Sequence, residues 1–319
     1  MNEALAWLAS SGEVRMTAGA PGNCGCSASR SDISHRLCRQ VTAGWVPSFL
    51  SRRRQATTRP RRHTGQVNPE PGSLAEYFDG WYADMTGSPV KDEIQQRHLG
   101  LPPHLLSRSL LGWDGIAEAA AGLRLFPGGT LVDLACGRSG YGLEIAARTG
   151  ARLVGVDFSA EAVRQAREQA RRLGATADFR IGDLSVTGLD AGSADAVLCV
   201  DAIQFAPRPD TAYREIRRIL TSGGRAVLTN WEPLERDDQR LPARLRRVDL
   251  GAGLTAAGFE SVEVRDRPGW RASERAMWQE AAALDPRDDP ALRAFHDEGV
   301  RSLEIFGLVR RVMATASAP

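Results

Sequence analysis

The chain predicts an α/β fold: a doubly wound, mostly parallel seven-stranded sheet with helices on both faces, an N-terminal helical cap and a helical insertion before the last strand. Three observations carry that expectation. From Leu131 onward, apolar runs of strand length alternate with segments of helical period. The first two of these runs, Leu131–Leu134 and Arg152–Val156, each have an acid at the carboxyl tip, Asp133 and Asp157, and flank a small-residue loop. Outside the alternating region, residues 73–126 and 270–306 read as helical without strands.

The elements follow in order. Leu74, Tyr77, Phe78, Trp81 and Tyr82 keep the 3/4 spacing of a helix, and Val90 to His98 forms a second. Pro102-Pro103 interrupts it, and Leu105 to Ala121 reads as a third. Pro127-Gly128-Gly129 is a turn into strand 1, Leu131–Leu134. A helix over Tyr141–Thr149 ends at Gly150, and Arg152–Val156 is strand 2. Ser159 caps the next helix, with Glu161 in its first turn and Val163, Ala166 and Ala170 on one face. Asp178–Ile181 and Ala194–Val200 are strands 3 and 4. Asp210 is expected to cap a helix carrying Ile216, Ile219 and Leu220, closed by Gly223-Gly224 before strand 5 at Ala226–Thr229. One helix through Leu241, Leu245, Val248 and Leu254 precedes strand 6 at Val262 and Val264. Two helices then carry Trp270, Met277, Trp278, Leu292, Phe295, Leu303 and Phe306, and Leu308 to Ala316 is a final strand.

Charge divides the chain. Residues 1–72 carry ten arginines against four acids (Glu3, Glu13, Asp32, Glu70), a surplus of about six positive charges, while the remainder is about four negative. The N-terminal 72 residues lack periodicity and are expected to be a disordered basic extension, with the natural start downstream near Val67. Cys24-Gly25-Cys26 with Cys38 and His35 fits no common zinc spacing, so no metal is assigned. The mildly acidic body argues against nucleic acid as a partner. No apolar run approaches the roughly 18 residues that span a bilayer, and the cysteines form no disulfide framework. The expectation is a cytoplasmic protein with no membrane partner, for which a homo-oligomer is compatible with the sequence.

Four acids converge on one sheet edge: Asp133, Asp157, Asp183 after strand 3 and Asp201 after strand 4. Open α/β sheets bind ligands at that edge, and an acid ending strand 2 suits the two hydroxyls of a ribose. The stretch from Leu131 through Asp133, Gly137 and Gly140 to Gly142, followed by Val154-Gly155-Val156-Asp157-Phe158, resembles the class I S-adenosylmethionine (SAM)-dependent methyltransferases, over about residues 74–319. The resemblance implies a Rossmann-like fold and SAM as cofactor. It implies that Asp133, Ala135, Gly137 and Gly140 form the loop holding the amino-acid end, and that Asp157 binds the ribose. It further implies Phe158 beside the adenine ring, Asp183 and Leu184 at the adenine, Asp201 at the same edge, and Tyr77 and Tyr82 on a helix folded over the cofactor. The family's loop has glycine two, four and six residues after the first acid; here those places hold Ala135, Gly137 and Ser139. Serine fits if its φ stays negative.

Methyl transfer needs alignment above all, and an oxygen nucleophile also needs a base, for which His98, His104 and Asp201 are the candidates. Strand 4 is followed by neither an Asn/Asp-Pro-Pro-Tyr/Phe motif nor a Pro-Cys pair, which excludes those patterns of amino and cytosine methylation. Trp81, Trp113, Trp270, Trp278 and Phe205 are candidate walls of an apolar pocket, so the expected acceptor is a small molecule of secondary-metabolite type. Two alternatives remain. A nicotinamide dehydrogenase would want Gly-x-Gly-x-x-Gly after strand 1, and Gly137, Gly140 and Gly142 are spaced otherwise. A non-methylating protein of the same fold, a cyclase or a structural SAM binder, is motivated by Ala135 and Ser139.

Overall fold

In this computed structural model, residues 73–84, 88–107 and 109–319 are described, and the basic extension with Cys24, Cys26, Cys38 and the proposed start at Val67 lies outside them. Helices α1 (Ser73–Asp84), α2 (Pro89–Leu99) and α3 (Trp113–Leu123) come first. Then follow β1 (Thr130–Leu134), α4 (Gly140–Thr149), β2 (Arg152–Asp157), α5 (Ala160–Arg172), β3 (Ala177–Ile181) and β4 (Ala194–Val200). Next are α6 (Pro209–Ile219), β5 (Leu220–Pro233), α7 (Ala243–Arg246), α8 (Leu250–Ala256) and β6 (Glu260–Asp266). The insertion is α9 (Pro268–Ala283) and α10 (Pro290–Ile305), and β7 (Val309–Ser317) ends the chain.

The seven strands lie in the order β3-β2-β1-β4-β5-β7-β6, with β7 antiparallel to both neighbours. The order reverses between β1 and β4, and open sheets bind ligands beyond the carboxyl ends of the strands at such a point. Period-two alternation sends Leu131 to one core layer, with Ile116, Tyr141, Leu153 and Val163, and Val132 to the other, with Ile203, Tyr213, Ile216 and Leu250. Both layers are apolar, which is why the central strands read as continuous hydrophobic runs.

α5 starts as expected, the Ser159 hydroxyl accepting from Ala162 N at 3.1 Å. α6 does not: Pro209 opens it with no side-chain cap, and Asp210 sits inside the first turn, paired with Arg214 one turn on. Gly223-Gly224 lies within β5, since Ala194 pairs with Leu220 but Ala196 already pairs with Arg225; Gly223, at φ +75°, turns the chain through this irregularity. The single helix expected across 241–254 is two, α8 being restarted by Asp249, which accepts from Ala252 N.

The third expected helix, Leu105 to Ala121, begins only at Trp113. The preceding residues are irregular because their backbone groups bond elsewhere. Leu110 N donates to Asp201 Oδ2 at 3.0 Å, Leu111 N donates to the Tyr141 hydroxyl at 3.0 Å, and that hydroxyl donates to Ser109 O at 2.6 Å. The segment also passes over the start of α4, where Gly140 has room for no side chain against Leu106 O.

Cap and insertion form one helical layer. Arg97 and His98 of α2 both meet Glu280 of α9, Ser88 Oγ donates to Asp289 at the cap of α10, and Trp278 packs tilted on Phe295 at 5.5 Å.

Candidate functional site

Asp133 and Asp157 stand at the ends of adjacent parallel strands, 4% and 3% exposed. Ser139 Oγ donates to Asp133 Oδ2 at 3.0 Å. Gly137 N and Ser159 N donate to the two oxygens of Asp157 at 2.8 and 2.9 Å. No ion pair among the described residues reaches either acid. Burial therefore pushes Asp133 up to about 7, with the Asp157 charge adding to it, against the Ser139 hydrogen bond. Asp157 is pushed up to about 6 by burial, partly offset by its two backbone donors.

Three loop residues adopt left-handed backbone: Ala135 at φ +53°, Gly137 at +53° and Ser139 at +55°. Ser139 therefore does not meet the condition of a negative φ. A non-glycine residue there costs roughly 1–2 kcal/mol, and Ser139 offsets part of it through its bond to Asp133. The loop keeps three left-handed positions with a glycine at only one of them. Gly142, unassigned by the family pattern, is sterically required, because a Cβ there would collide with the Asp133 carboxylate.

Helix α1 lies against this edge. A Cβ on Gly137 would stand 2.5 Å from the Tyr82 hydroxyl, so the buried Tyr82 lies against the loop. Tyr77 does not; it is largely exposed, its ring against Phe78. Phe78 and Asp79 were missed by the sequence reading. Phe78 sits edge-on between Phe158 (5.4 Å) and Phe205 (5.3 Å). Asp79 Oδ1 accepts from Ser159 Oγ at 2.5 Å and from Glu161 N at 3.1 Å, tying α1 to the start of α5. Asp79 lies next to Phe78 on a helix that also carries Glu76 and Asp84, so its position alone did not single it out. Leu184 is buried beside Val156, while Asp183 is exposed in the turn after β3 and accepts from Ser185 N.

Asp201 is engaged in a different way. It is 7% exposed, sits at φ +59°, and its Oδ1 meets Arg311 Nη1 at 2.5 Å and accepts from Thr229 Oγ1 at 2.7 Å. Arg311, 1% exposed on β7, also donates through Nε to Glu274 Oε1 of α9 at 2.6 Å and lies 4.3 Å over the Trp231 ring. Trp231 Nε1 donates to Glu274 Oε2 at 2.8 Å. Burial would lower Arg311, but the two carboxylates outweigh it and hold the guanidinium above its ordinary value. Burial pushes Glu274 up to about 7 against the pull of Arg311. Asp201 is thereby corrected from candidate base and cofactor ligand to a member of a buried ionic cluster, engaged by Arg311, Thr229 and Leu110 N.

The two histidines are also placed elsewhere. His98 Nε2 meets Glu280 at 2.7 Å within the helical layer, and the exposed His104 meets Glu144 of α4 at 3.5 Å. Neither contacts the acids of the sheet edge. Of the aromatic residues read as pocket walls, Trp270 and Trp278 are core, and Trp113 lies partly exposed 4.1 Å under Arg148. Phe205 and Trp81 remain at the site, both edge-on to Phe78.

This geometry suits a ligand with hydroxyl donors and a positive charge. Two buried acids that no cation reaches among the described residues fit the ribose hydroxyls and the ammonium of the amino-acid end of S-adenosylmethionine.

Residues 132–228 match the family model described as a methyltransferase domain. Squalene methyltransferase 2 of Botryococcus braunii is 32% identical over 136 residues, 42% of this chain and 35% of that protein. A ubiquinone biosynthesis O-methyltransferase of Xanthomonas campestris is 27% identical over 223 residues, covering 70% of this chain and 87% of that one. This chain thus spans about a third of the first relative and most of the second. Among solved structures, the [4+2]-cyclase SpnF superposes with a TM-score of 0.58 at 22% identity, covering 77% of this chain and 96% of its own, a likeness of fold. Among the described residues, no helix is long and apolar enough to cross a membrane.

Proposed function

We propose that this chain, which carries a class I S-adenosylmethionine-dependent methyltransferase domain, moves a methyl group from S-adenosylmethionine to a small organic acceptor. One observation supports the reading most: the buried, cation-free pair Asp133 and Asp157 at the tips of β1 and β2. Asp157 would accept from the ribose hydroxyls. Asp133 and the loop through Ala135, Gly137 and Gly140 would hold the amino-acid end, and Ser139 fixes the Asp133 carboxylate for that task. Phe158 and Leu184 would flank the adenine, with Asp183 at its outer edge, and Tyr82 would close on the loop.

When bound, S-adenosylmethionine supplies an activated methyl on a sulfonium, which an aligned nucleophile displaces in line. The acceptor then belongs over the ends of β4 and β5, beside Phe205. Asp201, His98 and His104 each hold a charged partner. A methyl acceptor at this edge is therefore one that is already electron-rich, such as an alkene or an ionised phenol, rather than one that needs a protein base. The names of the relatives direct a first screen to isoprenoid hydrocarbons and quinone precursors.

The same engaged candidates favour a second reading, a protein that binds the cofactor without transferring its methyl. Incubation with methyl-labelled S-adenosylmethionine and those acceptors separates the two. Label in a product together with S-adenosylhomocysteine supports transfer; tight binding with no S-adenosylhomocysteine over the whole panel supports the second reading.

A further inference from the structure

The segment after β5 is rich in arginine, and its members differ in what they touch. Arg236 pairs with Asp249, Arg240 with Asp238, Arg246 donates to Gln239, and Arg247 donates to Pro207 O. Arg244 has no such partner. Among the described residues it makes neither hydrogen bond nor ion pair, and its buried Nε is unsatisfied. Its guanidinium stands 5.7 Å from the Phe205 ring, and burial lowers its ordinary basicity, opposed by the charge of Glu298 and then Tyr77, with Arg301 adding to the lowering. A guanidinium keeps its proton under all ordinary conditions, so a buried N–H such as this Nε is costly without an acceptor. The face of one phenyl ring supplies part of that requirement only.

The position of Arg244 gives the missing partner a place. Phe205 follows the carboxyl end of β4 and meets Phe78 edge-on, which in turn meets Phe158 beside Asp157. Arg244 thus sits on the β4–β5 side of the edge, across the aromatic cluster from the paired acids. β5 itself carries Asn230, fully buried, with both amide atoms unsatisfied.

We infer that Arg244 is a specificity residue that binds an anionic oxygen group, carboxylate or phosphate, on an acceptor whose apolar body rests on Phe205. The inference rests on the methyltransferase reading above. A planar guanidinium makes two parallel N–H···O bonds to such a group, a geometry lysine cannot reproduce.

The test is a ligand-detected NMR titration of the full chain saturated with S-adenosylhomocysteine. The probes are two matched pairs: benzoate with benzyl alcohol, and phenyl phosphate with phenol. The wild-type protein should bind at least one anion about ten-fold more tightly than its neutral partner, and the pair that shows this separates carboxylate from phosphate. Arg244→Gln should reduce that preference to under about three-fold, and Arg244→Lys should retain an intermediate preference, both with S-adenosylhomocysteine affinity unchanged. No preference in the wild type, or a preference that survives in Arg244→Gln, overturns the inference alone. Failure of S-adenosylhomocysteine to bind the folded wild type removes the methyltransferase reading and this inference with it.

Discussion

Two pairs of acids lie at the carboxyl edge of the same sheet, and they are buried alike: Asp133 and Asp157 on the β1–β2 side, Asp201 and Glu274 on the β4–β7 side. The second pair clamps Arg311, a cation built into the chain. Among the described residues the first pair has no cation. Position and burial therefore do not distinguish a binding acid from a structural one; the compensating charge does. A carboxylate whose partner is built into the chain has its role assigned, whereas one left uncompensated in low dielectric is held in readiness for a ligand.

The largest expected effect breaks the arginine-paired side. Arg311→Met leaves two buried acids facing each other and should cost about 3–5 kcal/mol in chemical denaturation. Replacing Asp201 and Glu274 by their amides in the same background should restore part of that loss, which a purely steric role for Arg311 would not allow.

The uncompensated side should respond in the opposite sense. Asp133 has its folded pKa raised to about 7 from 3.8, so between those values the unfolded chain gives up a proton that the native protein keeps. Stability without ligand therefore falls as pH rises from about 4 to about 7, and stays low above it. Asp133→Asn should stabilise the ligand-free protein by roughly 1–3 kcal/mol at pH 8, a gain that fades as the pH approaches 4. Asp157→Asn should gain less, over the narrower window from about 4 to about 6, because its amide can accept from only one of Gly137 N and Ser159 N. Thermal melts across this range measure both, and a loss of stability at pH 8 would contradict the assignment.

The smallest effect concerns the loop. Ala135→Gly removes left-handed strain and should add about 0.5–1 kcal/mol, whereas Ser139→Gly should be near neutral because it also loses the bond to Asp133. Equal gains from both would show that the Ser139 hydroxyl contributes nothing.

The β1–β2 side of the edge was legible because local pattern specifies it: β1, β2 and the acids at their tips are short-range features, and Ser159 caps α5 where its spacing predicts. The β4–β7 side was not, because long-range bonds decide it. Residues 105–111 have helical periodicity, yet their amides serve Asp201 and Tyr141 across the fold. Arg311 is a lone arginine on the buried face of an apolar strand, and Glu274 holds a core position on α9 between Trp270 and Trp278. Each was a charge out of pattern, and each marks the other; their pairing with Asp201 only the fold reveals. The same holds for Asp79, whose spacing says surface and whose partner is the start of α5.

The central claim is that Asp133 and Asp157 are an uncompensated pair held for S-adenosylmethionine. Its most direct test is calorimetric titration of the full chain with S-adenosylmethionine and S-adenosylhomocysteine, wild type beside Asp157→Asn, at pH 8. The account predicts micromolar binding of both by the wild type and a loss of about 1–3 kcal/mol in the variant. Equal affinity in the two proteins, or no binding by a folded wild type, would contradict it.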